Sequence, residues 1–294
     1  MELLNQGTYG CIYKPGITCD TKPQSPKYTT KIHAKGTTGS NESTIGEIIR
    51  TKIPNYQNYF SPVLETCRVN LAKVDKEDID QCEFIHRDMI TSKPLDYESS
   101  KIKYIEGQTL DKYISTHRKS AIIEHLFKAL LNSVKKLATH NIVHFDLKEN
   151  NVIVKKNGTP IIIDFGISIN MNDLSQPLSE IFYAYAPDYP AWSPEIHIIS
   201  YYVNHPTTKR VTKSKILEIM RESAEIPYLD TNAKYETIAT KMDGKTSAQL
   251  IKELLKTYKS WDPYAIVTMI AQSMHKYNIE PSLSLLNKMK TIIE

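Results

Sequence analysis

The chain has 294 residues, enough for one large two-lobed domain or two modest ones. With 40% apolar and 24% charged residues it reads as an ordinary soluble globule, and the net charge of +4 is nowhere concentrated into a basic stripe, which argues against a nucleic-acid partner. No stretch approaches the ~18 apolar residues of a membrane span. The opening MELLNQGTYG lacks the basic-then-apolar pattern of a secretory signal. Cys11, Cys19, Cys67 and Cys82 form no CxxC pair, so they read as reduced thiols of a cytosolic-type compartment, not as a zinc or disulfide framework.

Leu3-Leu4, then Gly7-Thr8-Tyr9-Gly10, then Cys11-Ile12-Tyr13 predict strand, glycine turn, strand. Lys14 to Pro26 is a loop, and Tyr28 to Ile32 a short strand. Gly36 to Asn41 reads as another loop. Ser43 to Ile53 reads as a helix with Ile45, Ile48 and Ile49 on one face, stopped by Pro54. Residues 55–100 predict two more strands around an acidic insertion at Asp75–Asp80. Lys101 to Ile105 is a strand that Glu106-Gly107 ends. From Ser120 to Ala138 the residues Ile122, Ile123, Leu126, Leu130, Val134 and Leu137 form one apolar helical stripe. Val152 to Val154 and Ile161 to Ile163 flank Asn157-Gly158 as a hairpin. A polar segment runs from Gly166 to Trp192, and helical patterns return at Lys215–Ser223, Ala248–Tyr258, Tyr264–Met274 and Leu283–Ile293. The fold class is α+β, with a strand-rich first third and a helical remainder separated by a cleft.

The chemistry concentrates in His144-Phe145-Asp146-Leu147-Lys148-Glu149-Asn150-Asn151 and in Asp164-Phe165-Gly166, the second aspartate standing 18 positions after the first. Together they supply a carboxylate to orient an attacking hydroxyl, a cation, and two oxygen ligands for Mg²⁺. That is the set phosphoryl transfer from ATP needs. His86-Arg87-Asp88 upstream lacks an asparagine at the metal position and reads as a surface strand or turn.

These motifs resemble those of eukaryotic-type protein kinases, over nearly the full length of the chain. The spellings HFDLKENN and GTYGCIYKP resemble in particular kinases encoded by large cytoplasmic DNA viruses. The resemblance implies a single kinase domain over 1–294, with an N-lobe of 1–105 and a C-lobe of 106–294. It makes Asp146 the residue that orients or deprotonates the acceptor hydroxyl, and Lys148 the cation on the transferred phosphoryl group. Asn151 and Asp164 become the Mg²⁺ ligands. It assigns ATP to Leu4, Asn5, Gln6, Gly7, Thr8, Tyr9, Gly10, Cys11 and Ile12, with Asn5 at the family's first glycine and tolerant of positive φ. Lys31 anchors the phosphates, with Lys27 as the alternative. Glu47 is its ion-pair partner, with Glu42 as runner-up. Lys103 and Ile105 stand at the adenine-binding backbone positions. The lysine two residues after Asp146 points to the serine/threonine branch, with a protein hydroxyl as acceptor. A pseudokinase scaffold and a small-molecule phosphotransferase are the alternatives.

Three departures from the family stand out. Phe145 replaces the arginine that pairs with a phosphorylated activation segment, which implies activity without phosphorylation at Ser168, Ser175 or Ser179. Ala191-Trp192-Ser193-Pro194-Glu195 resembles the motif closing that segment, and Trp261-Asp262 the aspartate bracing the catalytic loop, but 66 residues separate Glu195 from Asp262. This enlarged insertion, about 196–260, has no obvious template. No arginine occurs after Arg221, so Arg210 or Arg221 would have to pair with Glu195.

Overall fold

The computed structural model describes residues 1–7, 10–85, 96–174, 176–223 and 225–294. Thr8, Tyr9, the tripeptide His86-Arg87-Asp88 and Ser175 lie outside the described residues. The chain divides into two compact units, one of Met1–Glu106 with Ile161–Ser168, the other of Gly107–Pro160 with Ile169–Glu294.

The first unit is built on five antiparallel strands in the order β1-β2-β3-β6-β5: β1 (Glu2–Gly7), β2 (Gly10–Lys14), β3 (Tyr28–Ala34), β5 (Val63–Val69) and β6 (Tyr97–Lys103). A short β4 (Phe60–Ser61) pairs in parallel with Ile162 and Ile163. One side of β2 and β3 buries Cys11, Tyr13 and Ile32 in a cluster with Val69, Leu71, Ile79 and Tyr97. Period-two alternation therefore sends Ile12 and Lys31, which face each other across β2 and β3, to the opposite side. Gly10 is required where it stands: its φ is +150°, and a Cβ there would lie 2.3 Å from the Ile32 carbonyl oxygen. Asn5 does not turn the chain. It lies inside β1, beside an irregularity in the pairing with β2, and its φ is not positive.

Helix α1 (Thr37–Lys52) starts six residues before the predicted Ser43, consuming the predicted loop. Tertiary contacts override the poor helix propensity of Gly39 and Asn41. A Cβ on Gly39 would come within 2.3 Å of His33, and Asn41 is held by two hydrogen bonds described below. Gly46 lets α1 lie close on β5, since a Cβ there would sit 2.7 Å from the Val63 carbonyl oxygen.

The four cysteines are not thiols. Cys11 pairs with Cys82, and Cys19 with Cys67, both within the first unit. The partners are 71 and 48 residues apart in sequence, so no short-range spacing flags them. With the thiols gone, the inference of a reducing compartment loses its ground.

The second unit is helical. Helix Ser120–Thr139 buries Ile123, Leu126, Phe127, Leu130, Val134 and Leu137 against helix Trp261–Lys276, which is buried on every face. The last helix, Leu283–Ile293, packs on Trp261–Lys276 as well. The predicted turn at Asn157-Gly158 forms, with Gly158 at φ +82°. The stretch 196–260 folds largely as helices: the rest of Pro194–Asn204, then Lys213–Arg221, Asn232–Met242 and Ser247–Leu255. Lys213–Arg221 packs on both Pro194–Asn204 and Asn232–Met242, and Ser247–Leu255 packs on Pro194–Asn204. Thr246 and Gln249 form a reciprocal cap at the start of Ser247–Leu255.

Within helix Pro194–Asn204, His197 is buried, and burial pushes its pKa down to about 4. An unfolded histidine titrates near ~6.5. The native state therefore binds fewer protons than the unfolded state below that pH, and stability falls as pH drops from ~6.5 toward the folded value. The full loss is about 3 kcal/mol. In urea titrations at pH 7 and pH 4.5, His197→Gln is expected to lose less stability between the two than wild type does. Equal losses would show that His197 carries no linkage.

Candidate active site

In the first unit, Lys31 is buried and its Nζ donates to Glu42 Oε2 at 2.9 Å and to Asp164 Oδ1 at 3.0 Å. Burial alone would lower the Lys31 pKa, but the carboxylates of Glu42 and Asp164 outweigh it and hold the ammonium above its ordinary value. The Asp164 carboxylate is half-exposed. Its backbone is left-handed at φ +62°, a strained state for a residue other than glycine. Asn41 Nδ2 donates to the carbonyls of Gly166 (3.1 Å) and Ser168 (2.9 Å), and Phe165 packs edge-on against Phe60. Asp164-Phe165-Gly166 is thus fixed on both sides by residues of its own unit.

Glu42, not Glu47, is the partner of Lys31. Glu42 lies in helical phase with the buried Ile45 and Ile49, whereas Glu47 is five residues on and exposed. Matching Glu47-Ile48-Ile49 by spelling overlooked that phase. Glu42→Ala leaves the buried ammonium with Asp164 as its one remaining carboxylate and is expected to destabilise the unit by about 2 kcal/mol, the loss of one hydrogen bond to a charged group. Glu47→Ala is expected to stay within about 0.5 kcal/mol of wild type. Urea midpoints of the two variants check this, and the reverse order would refute the pairing.

The remaining residues singled out for nucleotide binding are placed as follows. Leu4, Asn5, Gln6 and Gly7 are exposed on β1, Gly10 and Cys11 are buried at the start of β2, and Ile12 is half-buried. Gln6 Oε1 accepts from the Glu83 N–H, an extra contact on the strand. Lys103 ends β6, where its carbonyl accepts from Ser61 Oγ at 2.9 Å, and Ile105 follows half-buried. The alternative Lys27 is exposed.

In the second unit, the loop from His144 to Asn151 is clamped from below. Asp262 is buried, and its two carboxylate oxygens accept from the N–H groups of His144 (2.8 Å) and Phe145 (3.2 Å). Burial raises the Asp262 pKa, and these two donors oppose that rise by stabilising its charge. The N–H of Asp146 donates to His144 Nδ1 at 3.3 Å. The Asp146 carboxylate accepts from Lys148 Nζ (2.8 and 3.1 Å), from Asn151 Nδ2 (2.9 Å) and from Tyr189 Oη (2.8 Å). Asn151 Nδ2 also donates to the Asp146 carbonyl at 2.8 Å. With its nitrogen engaged, Asn151 offers a cation its amide oxygen. In the first unit, the Asp164 carboxylate is likewise a hard oxygen donor of the kind Mg²⁺ takes.

The protein kinase domain family matches residues 97–277, more than half of the chain. The chain belongs to the protein kinase family. A probable serine/threonine-protein kinase of Lactococcus lactis, PknB, is 26% identical over 113 residues, covering 36% of this chain and 18% of that protein. A probable serine/threonine-protein kinase of Dictyostelium discoideum, mkcE, is 32% identical over 79 residues, 26% of this chain and 11% of that protein. Sperm motility kinase 2A of Mus musculus is 38% identical over 71 residues, 24% and 13%. The matched stretches thus span less than a fifth of each of these relatives.

Against the kinase pattern, two of the three departures read from sequence acquire a physical content. Phe145 replaces a cation with an aromatic anchor. It is buried at φ +69°, stacks on Trp192 at 5.2 Å and meets Phe182 edge-on at 5.6 Å, with Trp261 at 6.4 Å. Trp192 Nε1 also donates to the Phe145 carbonyl at 3.0 Å. The segment before Pro194 is therefore fastened to the His144–Asn151 loop by apolar packing and one hydrogen bond. The buried Glu195 pairs with Lys234 Nζ at 3.4 Å, while Arg210 donates to the Gly244 carbonyl instead. Lys234 comes from helix Asn232–Met242 inside the insertion, and it also lies over the Tyr264 ring. Neither Lys234 nor Tyr189 sits in a motif, so only the fold could single them out.

Proposed function

We propose that this protein is a serine/threonine kinase that transfers the γ-phosphate of ATP to protein hydroxyl groups. The observation that carries the reading is the Asp146 carboxylate, held by Lys148 and Asn151 on a loop clamped by buried Asp262. Mg·ATP, when bound, supplies the phosphoryl group and the cation that offsets its charge. Lys31, kept protonated by Glu42, holds phosphate oxygens. Asp164 and Asn151 provide the oxygen ligands. Asp146 orients the acceptor hydroxyl and takes up its proton, and Lys148 steadies negative charge as it develops. Pre-set charges of this kind do most of the work in phosphoryl transfer. The spelling HFDLKENN supports, as part of this proposal, an affinity with kinases of large cytoplasmic DNA viruses.

The test is transfer of labelled γ-phosphate from Mg·ATP to a generic basic protein, followed by phosphoamino-acid mapping. Label on serine or threonine is expected. Label confined to sugars or choline-like alcohols, or tight nucleotide binding without any transfer, would overturn the assignment. The aromatic anchoring of Phe145 adds a second expectation: phosphatase treatment leaves the rate within about twofold, because no cation stands there to read a phosphate. Loss of activity on dephosphorylation would contradict it.

A further inference from the structure

All four hydrogen-bonding positions of the Asp146 carboxylate are occupied. Oδ2 accepts from Lys148 and Asn151, and Oδ1 accepts from Lys148 and Tyr189. An ionised carboxylate offers about four lone-pair directions. An acceptor hydroxyl that is to be oriented there must take one of them, so one present donor has to leave.

The donors are not equivalent. Lys148 is an opposite charge two residues away, and Asn151 is tied to both the side chain and the main chain of Asp146. Tyr189 is neutral and 43 residues distant in sequence. Its contact, an O–H donating to a carboxylate oxygen, is chemically the one an acceptor serine or threonine would make. The phenol is held in place by its own surroundings. Its ring meets Trp192 edge-on at 5.3 Å, and Trp192 is fastened to Phe145, the residue before Asp146. Burial, and then the Asp146 charge, raise the pKa of the phenol, so it keeps its proton and remains a donor. Tyr189 is nevertheless only half-buried, so it can swing aside without opening the core.

We propose that Tyr189 is a specificity-determining residue: its hydroxyl holds the place of the acceptor hydroxyl on Asp146, and only a substrate with enough contacts of its own displaces it. This rests on the kinase reading of Asp146. Two consequences follow. Acceptors with few contacts, including short peptides and water, are excluded from the base. A protein acceptor, which gains binding elsewhere on its surface, is admitted.

Tyr189→Phe removes the hydroxyl and keeps the ring on Trp192. With Mg·ATP, the variant is expected to lower KM for a short serine peptide by roughly ten- to a hundredfold, the equivalent of one hydrogen bond to a charged group. ATP hydrolysis without acceptor should rise, and KM for ATP should stay unchanged. If kcat falls while the peptide KM is unchanged, the phenol positions the carboxylate and the proposal is wrong. If peptide KM, kcat and hydrolysis all match wild type, the contact has no role and the proposal is equally wrong. Tyr189→Leu, which also lacks the hydroxyl, gives the same comparison should the first variant melt lower. Asp146→Ala run in parallel separates the two levels. An inactive Asp146→Ala beside an unaltered Tyr189→Phe overturns this inference alone, whereas an active Asp146→Ala overturns the role of Asp146 and this inference with it.

Discussion

Alanine at position 146 is expected to lower kcat for phosphoryl transfer by about 10²- to 10⁴-fold, the range that a positioned acid–base group supplies. The loss should appear in kcat, because Lys31, Glu42 and Asp164 are untouched and KM for ATP stays near wild type. Folding should survive the change. The loop remains clamped through the Asp262 contacts to the N–H groups of His144 and Phe145, which do not involve the Asp146 side chain. Lys148 is substantially exposed, so its ammonium turns to water when its partner is removed. Initial rates with a saturating acceptor, alongside thermal melting, make the measurement. An unchanged kcat in a folded variant would take Asp146 out of the reaction.

The second large effect concerns the disulfides. Replacing Cys11 and Cys82 by serine is expected to destabilise the first unit by about 4 kcal/mol, the chain-entropy value for a loop of this length. The same estimate for Cys19 and Cys67 is also about 4 kcal/mol, but that loop is nested inside the first, so the two losses should not add. The two bonds should differ in response to reductant. Cys19 is exposed, whereas Cys11 and Cys82 are buried among Tyr13, Ile32 and Ile79. Mild thiol treatment should therefore open Cys19–Cys67 first. Alkylation with mass mapping during a thiol titration, together with urea midpoints of each double serine variant, checks both statements. Simultaneous opening, or no change in midpoint, would refute them.

Chemistry was more legible in the sequence than geometry. HFDLKENN and the following Asp164-Phe165-Gly166 point to the kinase family directly, because residue type and order are written in consecutive positions. Helix Ser120–Thr139 was legible because it has a polar face that sets off its apolar stripe. Helix Pro194–Asn204 was missed because it is buried nearly all round and rich in isoleucine, valine and tyrosine, so no periodic contrast announces it. The Lys31 partner was misassigned because motif spelling was weighed above helical phase. Asn41, Tyr189 and Lys234 act across gaps of 125, 43 and 39 residues, and nothing local marks a residue whose partner is that distant.

The first unit is discontinuous, and this bears on how the protein is made. Ile161–Ser168 completes it, so a ribosome must finish well over half of the 294 residues before that unit has all its parts. Until then β4 lacks the partner supplied by Ile162 and Ile163, Lys31 has Glu42 but not Asp164, and Asn41 has no carbonyls to hold. The amino-terminal portion is the first to emerge and yet cannot be the first to finish, which reverses the usual order of vectorial synthesis. A fragment ending at Glu106 would therefore carry Lys31 without the aspartate that completes its surroundings.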